Sequence, residues 1–128
     1  MNCLSKDGLR IEELKNLIVK MVREKRNVSF VDIEKIFESK DIDYLGDYAI
    51  ATSKNEHIFV WGGWRADFVD LISQVCKENL IEMEPCSPLV YAVDGKMLSM
   101  PLVKEAFFYK TDHWLPVVLI NPGTSKYL

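Results

Sequence analysis

The stretch VWGGWRADFVDLISQVCKENLIEMEP, residues 60–85, decides how the chain is read, because its pattern changes period twice. Alternation of apolar residues, with Ile58 and Val60 on one face, runs into Gly62 and Gly63 and stops there. Glycine accepts positive φ without a steric penalty, so the pair lets the chain turn sharply. Trp64, Phe68, Leu71, Ile72, Val75 and Cys76 then recur at i, i+4, i+7, i+8, i+11 and i+12, one face of an amphipathic helix. Asn79 is its expected stop, and LIEMEP resumes as a strand.

Upstream, Leu14, Leu17, Ile18, Met21 and Val22 are spaced by three and four, which predicts a helix of about four turns starting near Leu9. Its basic end, REKRN, suits the negative end of the helix dipole. In NVSFVDIEKIFESKDID, Ser29 and Asp32 have the spacing of a capping box, with Asp where Glu or Gln is usual. Ile33, Ile36 and Phe37 continue a second helix to about Ser39; residues 28–30 are open to reading as a short strand leading into it. The acidic run 41–47, containing Gly46, is its exit loop. DYAIATSKNEHIFV then alternates, with Tyr48, Ile50 and Thr52 on one face and SKNE as the connection, which predicts a β-hairpin.

Downstream, LIEMEP and LVYAV read as strands joined by the turn PCSP, and Asp94-Gly95 in VDGKML is a two-residue hairpin signal, so a three-stranded meander is expected. MPLVKEAFFY fits either a short helix opened by Pro101 or another strand. Asp112 and His113 read as a loop, and WLPVVLI as a last strand that Pro116 confines to an edge or an irregular position. Residues after Asn121 are expected to fray.

The chain of 128 residues, 48% apolar, is long enough for one core without metals or disulfides. With 27% charged residues and no biased run, disorder is not expected in the body of the chain. No apolar run reaches the roughly 18–20 residues of a membrane span. MNCLSKDGLR lacks the pattern of a secretory signal, and a cytoplasmic protein without membrane attachment is the expectation. Cys3, Cys76 and Cys86 match neither a disulfide framework nor a zinc site and read as reduced thiols, Cys76 packing on a helix face.

The net charge of −3 is unevenly spread. Residues 9–26 carry six basic against three acidic side chains, residues 30–47 two against six, and residues 65–84 two against five. Only the first helix can therefore attract a polyanion.

The order helix, helix, helix, β-hairpin resembles that of a winged helix-turn-helix domain. Residues 9–98 carry the resemblance, with the opening stretch as recognition helix and EPCSPLV or VDGKM at the wing. One departure is a full hairpin, residues 48–61, where the family has a turn of a few residues. The expected fold is α+β, three helices with an antiparallel sheet of about five strands, in a single domain over residues 1–128. Residues 99–128 form a C-terminal extension packing on the sheet.

The resemblance implies a small regulatory or adaptor protein that binds a macromolecule. If that is DNA, Arg65, Ser73, Gln74 and Lys77 face the groove while Lys15, Lys20, Arg23, Lys25 and Arg26 meet phosphate. Against this stand Asp67 and Asp70 on the same outward face, and an isoelectric point near 5.4. The alternative is a protein-interaction or self-association module using Trp61, Trp64 and Trp114, or else these tryptophans cap the core. His57 and His113 have no second metal ligand nearby, Asp112 has no nucleophile motif to serve, and Glu82 and Glu84 fit an exposed strand face. No GxGxxG, P-loop or GxSxG is present, so no catalytic residue, metal or cofactor is expected.

Overall fold

The computed structural model describes residues 8–52, 55–104 and 109–121. Helix α1 (Gly8–Lys25) buries Leu14, Ile18 and Val22, the stripe its spacing predicts. Helix α2 (Phe30–Ser39) opens on the capping box: the Asp32 amide donates to Ser29 Oγ at 3.1 Å, and the Ser29 amide to Asp32 Oδ2 at 3.1 Å. Lys25 Nζ, at the end of α1, reaches the same carboxylate oxygen at 2.7 Å and ties the two helices together. Burial alone would raise the Asp32 pKa, but the bonds from Lys25 and Ser29 outweigh it and hold the carboxyl below its ordinary value.

Strands β1 (Leu45–Ala51) and β2 (Ile58–Trp64) form the expected antiparallel hairpin; residues 53–54 of its connection lie outside the described residues. Helix α3 (Ala66–Asn79) follows, burying Phe68, Leu71, Ile72 and Val75. Trp64 belongs to the end of β2 rather than to this helix, and Arg65 is the capping position between them. The helix stops at Asn79, with Leu80 in the left-handed region at φ 55°.

Beyond α3 the chain departs from the expected meander. Strand β3 (Glu82–Pro85) forms, but LVYAV is not a strand: Leu89–Ala92 is a single helical turn, α4. The Asp94-Gly95 hairpin signal is instead the end of that turn. Gly95, at φ +70°, donates to the Ala92 carbonyl at 2.9 Å, and the Lys96 amide reaches back to the Tyr91 carbonyl at 3.3 Å. A glycine in the left-handed region closes a helix end as readily as it makes a hairpin turn. What selects the helix is Tyr91, whose buried hydroxyl accepts from the Phe30 amide at 3.1 Å and donates to the Val117 carbonyl at 2.6 Å.

The partner of β3 arrives from the far end of the chain. Strand β5 (Val117–Ile120) pairs antiparallel with β3 and, through Leu119, with the isolated residue Val28, so it lies between them. All four of its residues are buried, and of the two places expected for Pro116, an edge or an irregular position, the proline takes the irregular one. Pro116 sits in the bend that separates β5 from β4 (His113–Trp114), and its carbonyl accepts from the Cys86 amide at 2.9 Å. Strand β4 adds parallel to β2.

The class is α+β; in place of the one antiparallel sheet expected, the five strands among the described residues divide between a mixed three-stranded sheet, β1-β2-β4, and the antiparallel pair β3-β5. Residues 117–120, within the C-terminal part of the chain, are buried and paired with β3. In MPLVKEAFFY, residues 100–104 form neither the helix opened by Pro101 nor a full strand, only a parallel bridge of Leu102 to Trp114; residues 105–108 and the tail beyond Asn121 lie outside the described residues. No helix among the described residues is long and apolar enough to cross a membrane.

Candidate functional site

The outward face of α3 does not present the cations that a recognition helix needs. Arg65 donates from Nη2 to Asp67 Oδ2 at 2.7 Å and from Nη1 to the Asp43 carbonyl at 3.0 Å, with its guanidinium carbon 5.4 Å from the centre of the Phe68 ring. It is a structural brace between α3 and the entrance to β1. Ser73, Gln74 and Lys77 are exposed beside Asp70 and Glu78, a face without net positive charge.

The basic residues of α1 divide. Lys15 is largely buried along its side chain and lies 3.6 Å from Glu78 of α3 and 4.0 Å from Glu12; Lys25 is bound to Asp32. Lys20, Arg23 and Arg26 are exposed, without an acidic partner among the described residues. Three cations therefore remain of the nine proposed contacts with DNA that combine exposure with charge and freedom, apart from Lys77 on α3.

The tryptophans lie inside. Trp64 is fully buried, and Trp61 and Trp114 are 4% and 2% exposed, with Trp61 lining a surface cleft. They belong to one aromatic cluster: Trp61 stacks on Tyr91 at 4.9 Å between centroids, Trp114 meets Tyr91 edge-on at 5.5 Å, and Trp64 meets Phe37 edge-on at 5.4 Å. Such contacts favour a rigid core more than an adaptable surface.

The polar edges of Trp61 and Trp64 converge on Glu34, a residue not singled out by sequence, while Trp114 Nε1 donates to the Val60 carbonyl at 3.2 Å. Trp61 Nε1 donates to Glu34 Oε2 at 2.9 Å and Trp64 Nε1 to the same oxygen at 2.8 Å. Lys96 Nζ, from the loop after α4, reaches Glu34 Oε1 at 2.7 Å. Glu34 is 4% exposed, so its carboxylate joins α2, β2 and the loop at residue 96 inside the protein. The Glu34 bond is the main reason that the Lys96 ammonium is held above the ordinary lysine pKa. Glu38, one turn further along α2, accepts from the Tyr44 hydroxyl at 2.6 Å and lies 3.7 Å from Lys96. Burial, reinforced by that bond, pushes the Tyr44 phenol above its usual range.

Residues 61 and 64 of a regular strand would point to opposite faces. Here Gly63, at φ +84°, and a register shift against β1 turn both indoles toward the same carboxylate. The signal in the sequence was Glu34 itself, which stands among Phe30, Val31, Ile33 and Phe37 on the buried side of α2. A carboxylate there requires donors.

Above Glu34 the surface opens into a cleft of about 360 Å³ between the β1-β2 hairpin and residues 95–98. Leu45 and Met97, 66% and 58% exposed, stand at its walls, with Gly62 and Gly63 between them. Leu89 and Val93, 69% and 81% exposed, add apolar surface on α4.

A second polar group joins distant residues at the surface. His57 Nδ1 lies 3.0 Å from Asp112 Oδ1, and the neighbouring His113 packs its ring on Tyr109 at 3.9 Å. The parallel register of β2 and β4 brings these positions together. Among the described residues no group of three His, Cys, Asp or Glu side chains can hold a metal ion. Cys76 and Cys86 are free thiols; burial pushes the Cys76 thiol up to about 11. No protein-family model, curated protein or solved structure matches the chain.

Proposed function

We propose that this chain is a small, non-enzymatic, cytoplasmic regulatory or adaptor protein of winged-helix-like architecture that acts by docking another protein. The element order supports the architecture: α1, α2 and α3 precede the antiparallel pair β3-β5, with the β1-β2 hairpin inserted between the second and third helices. The excursion between β3 and β5, where that order has its wing, runs from residue 86 to residue 116, longer than either EPCSPLV or VDGKM. The observation that carries the function is the character of this excursion. It exposes Leu89, Val90, Val93, Met97 and Leu102, and its three lysines, Lys96, Lys104 and Lys110, are balanced by Asp94, Glu105 and Asp112, whereas a wing that meets phosphate needs a cationic excess. Apolar side chains grouped in one exposed segment mark a surface for protein contact.

The test combines two measurements on the full chain. Fluorescence anisotropy with random-sequence duplex DNA is expected to show no salt-sensitive binding between low and physiological salt. An apolar fluorescent dye, anilinonaphthalene sulfonate, is expected to bind the native protein and to lose most of that signal in the double variant Leu89→Glu/Val93→Glu, at unchanged melting temperature. Tight duplex binding that falls steeply with salt, and disappears when Lys20, Arg23 and Arg26 are replaced by glutamine, would overturn the proposal in favour of a DNA partner.

A further inference from the structure

We infer that the cleft above Glu34 receives a segment of the partner protein in which arginine or lysine stands beside aliphatic side chains. This rests on the protein-docking reading and adds the chemistry of the partner.

Two features of the cleft lead there. The first is its apolar lining. Leu45 and Met97 line it with largely exposed side chains, Leu98 lines it half-buried, and an added Cβ on Gly63 would meet nothing within 4 Å. The backbone at that glycine is therefore open to an approaching chain. At about 360 Å³ the cleft lies near the lower end of ligand pockets, suited to the side chains of a short segment.

The second feature is charge. Glu34 and Glu38 converge on a single ammonium, that of Lys96; Glu38 stands outside the lining, 3.7 Å from that ammonium, so the three groups carry a net negative charge beside the cleft. The chain on either side of Leu45 adds exposed Asp41, Asp43 and Asp47, outside the lining. Its one cation, Lys40, is directed toward Glu13 of α1 at 3.5 Å. An arginine-bearing segment complements this arrangement, whereas an acidic segment or a nucleic-acid backbone is repelled by it. Lys96 itself, with its side chain 42% exposed, shows how an ammonium is held at this position.

The experiment is an NMR titration of the isotope-labelled full chain with two short, capped peptides: one alternating arginine and leucine, the other alternating glutamate and leucine. The expected result is saturable shifts from the arginine peptide at the amides of residues 44–46, 62–63 and 95–98. Binding should weaken on the order of tenfold in Met97→Ser and in Glu38→Gln, a change of the size that one lost anchor produces. Equal binding of the glutamate peptide at these amides overturns the basic-partner inference but leaves the docking reading standing. Absence of shifts there at millimolar arginine peptide also overturns it, and the dye and DNA measurements then decide the broader reading separately. Concentration-dependent shifts at these amides without any peptide would assign the cleft to a second copy of the chain and overturn the inference as well.

Discussion

Removing the Glu34 carboxylate is expected to cost more stability than any other single polar change in the core. In Glu34→Ala two indole N–H groups, now 2.8 and 2.9 Å from Oε2, lose their acceptor on rings that are 0% and 4% exposed. A buried donor left without a partner costs about 1–3 kcal/mol. Two such donors, with the space left by the side chain, amount to roughly 3–5 kcal/mol. Glu34→Gln keeps an oxygen for the indoles but turns an amide toward Lys96, and the loss should be about 1–2 kcal/mol. Lys96→Met removes a partner that is 42% exposed, so solvent screening limits its effect to about 1 kcal/mol. Urea unfolding followed by tryptophan fluorescence and by far-ultraviolet circular dichroism measures all three. The expected order is Glu34→Ala, then Glu34→Gln, then Lys96→Met. A Glu34→Ala protein within about 1 kcal/mol of the parent, with coincident transitions, would refute the view that this carboxylate organises the tryptophans.

Three other substitutions test local features. Asp32→Asn should destabilise by about 1 kcal/mol at neutral pH, the usual worth of a helix cap. Because the folded Asp32 pKa lies below the ordinary 3.8, its contribution is present above that value and is lost as pH falls through the folded pKa, so parent and variant should converge in acid unfolding curves. At Gly46 an added Cβ would stand 2.8 Å from the backbone of Trp64 and Arg65, so Gly46→Ala must push two chain segments apart, at about 2–3 kcal/mol. Gly95→Ala has open space and meets only the penalty of its positive φ, about 1 kcal/mol; thermal unfolding of the pair checks the ranking.

The candidate site was only partly legible in the sequence. The buried face of α3 follows from its spacing, but the engagement of Arg65 does not, because Asp43 belongs to a loop whose path the helix pattern cannot report. The aromatic residues invited either a surface or a core reading, and composition could not choose between them. Glu34 chooses: its carboxylate supplies the acceptor that two buried indoles require. The cleft depends in turn on where residues 95–98 return, which is set by Tyr91 anchoring α4 to Phe30 and Val117.

What the sequence determined by itself was local: three amphipathic helices, the capping box at Ser29, the stop at Asn79 and the β1-β2 hairpin. Side-chain period and short-range hydrogen bonds decide these within a few residues of each position. The tertiary structure alone decided which strands pair, that Asp94-Gly95 ends a helical turn, and that Glu34 meets residues 27, 30 and 62 positions away. Strand pairing and buried polar contacts are chosen by the whole chain at once, because backbone and side-chain donors must find acceptors among whatever surfaces burial brings together.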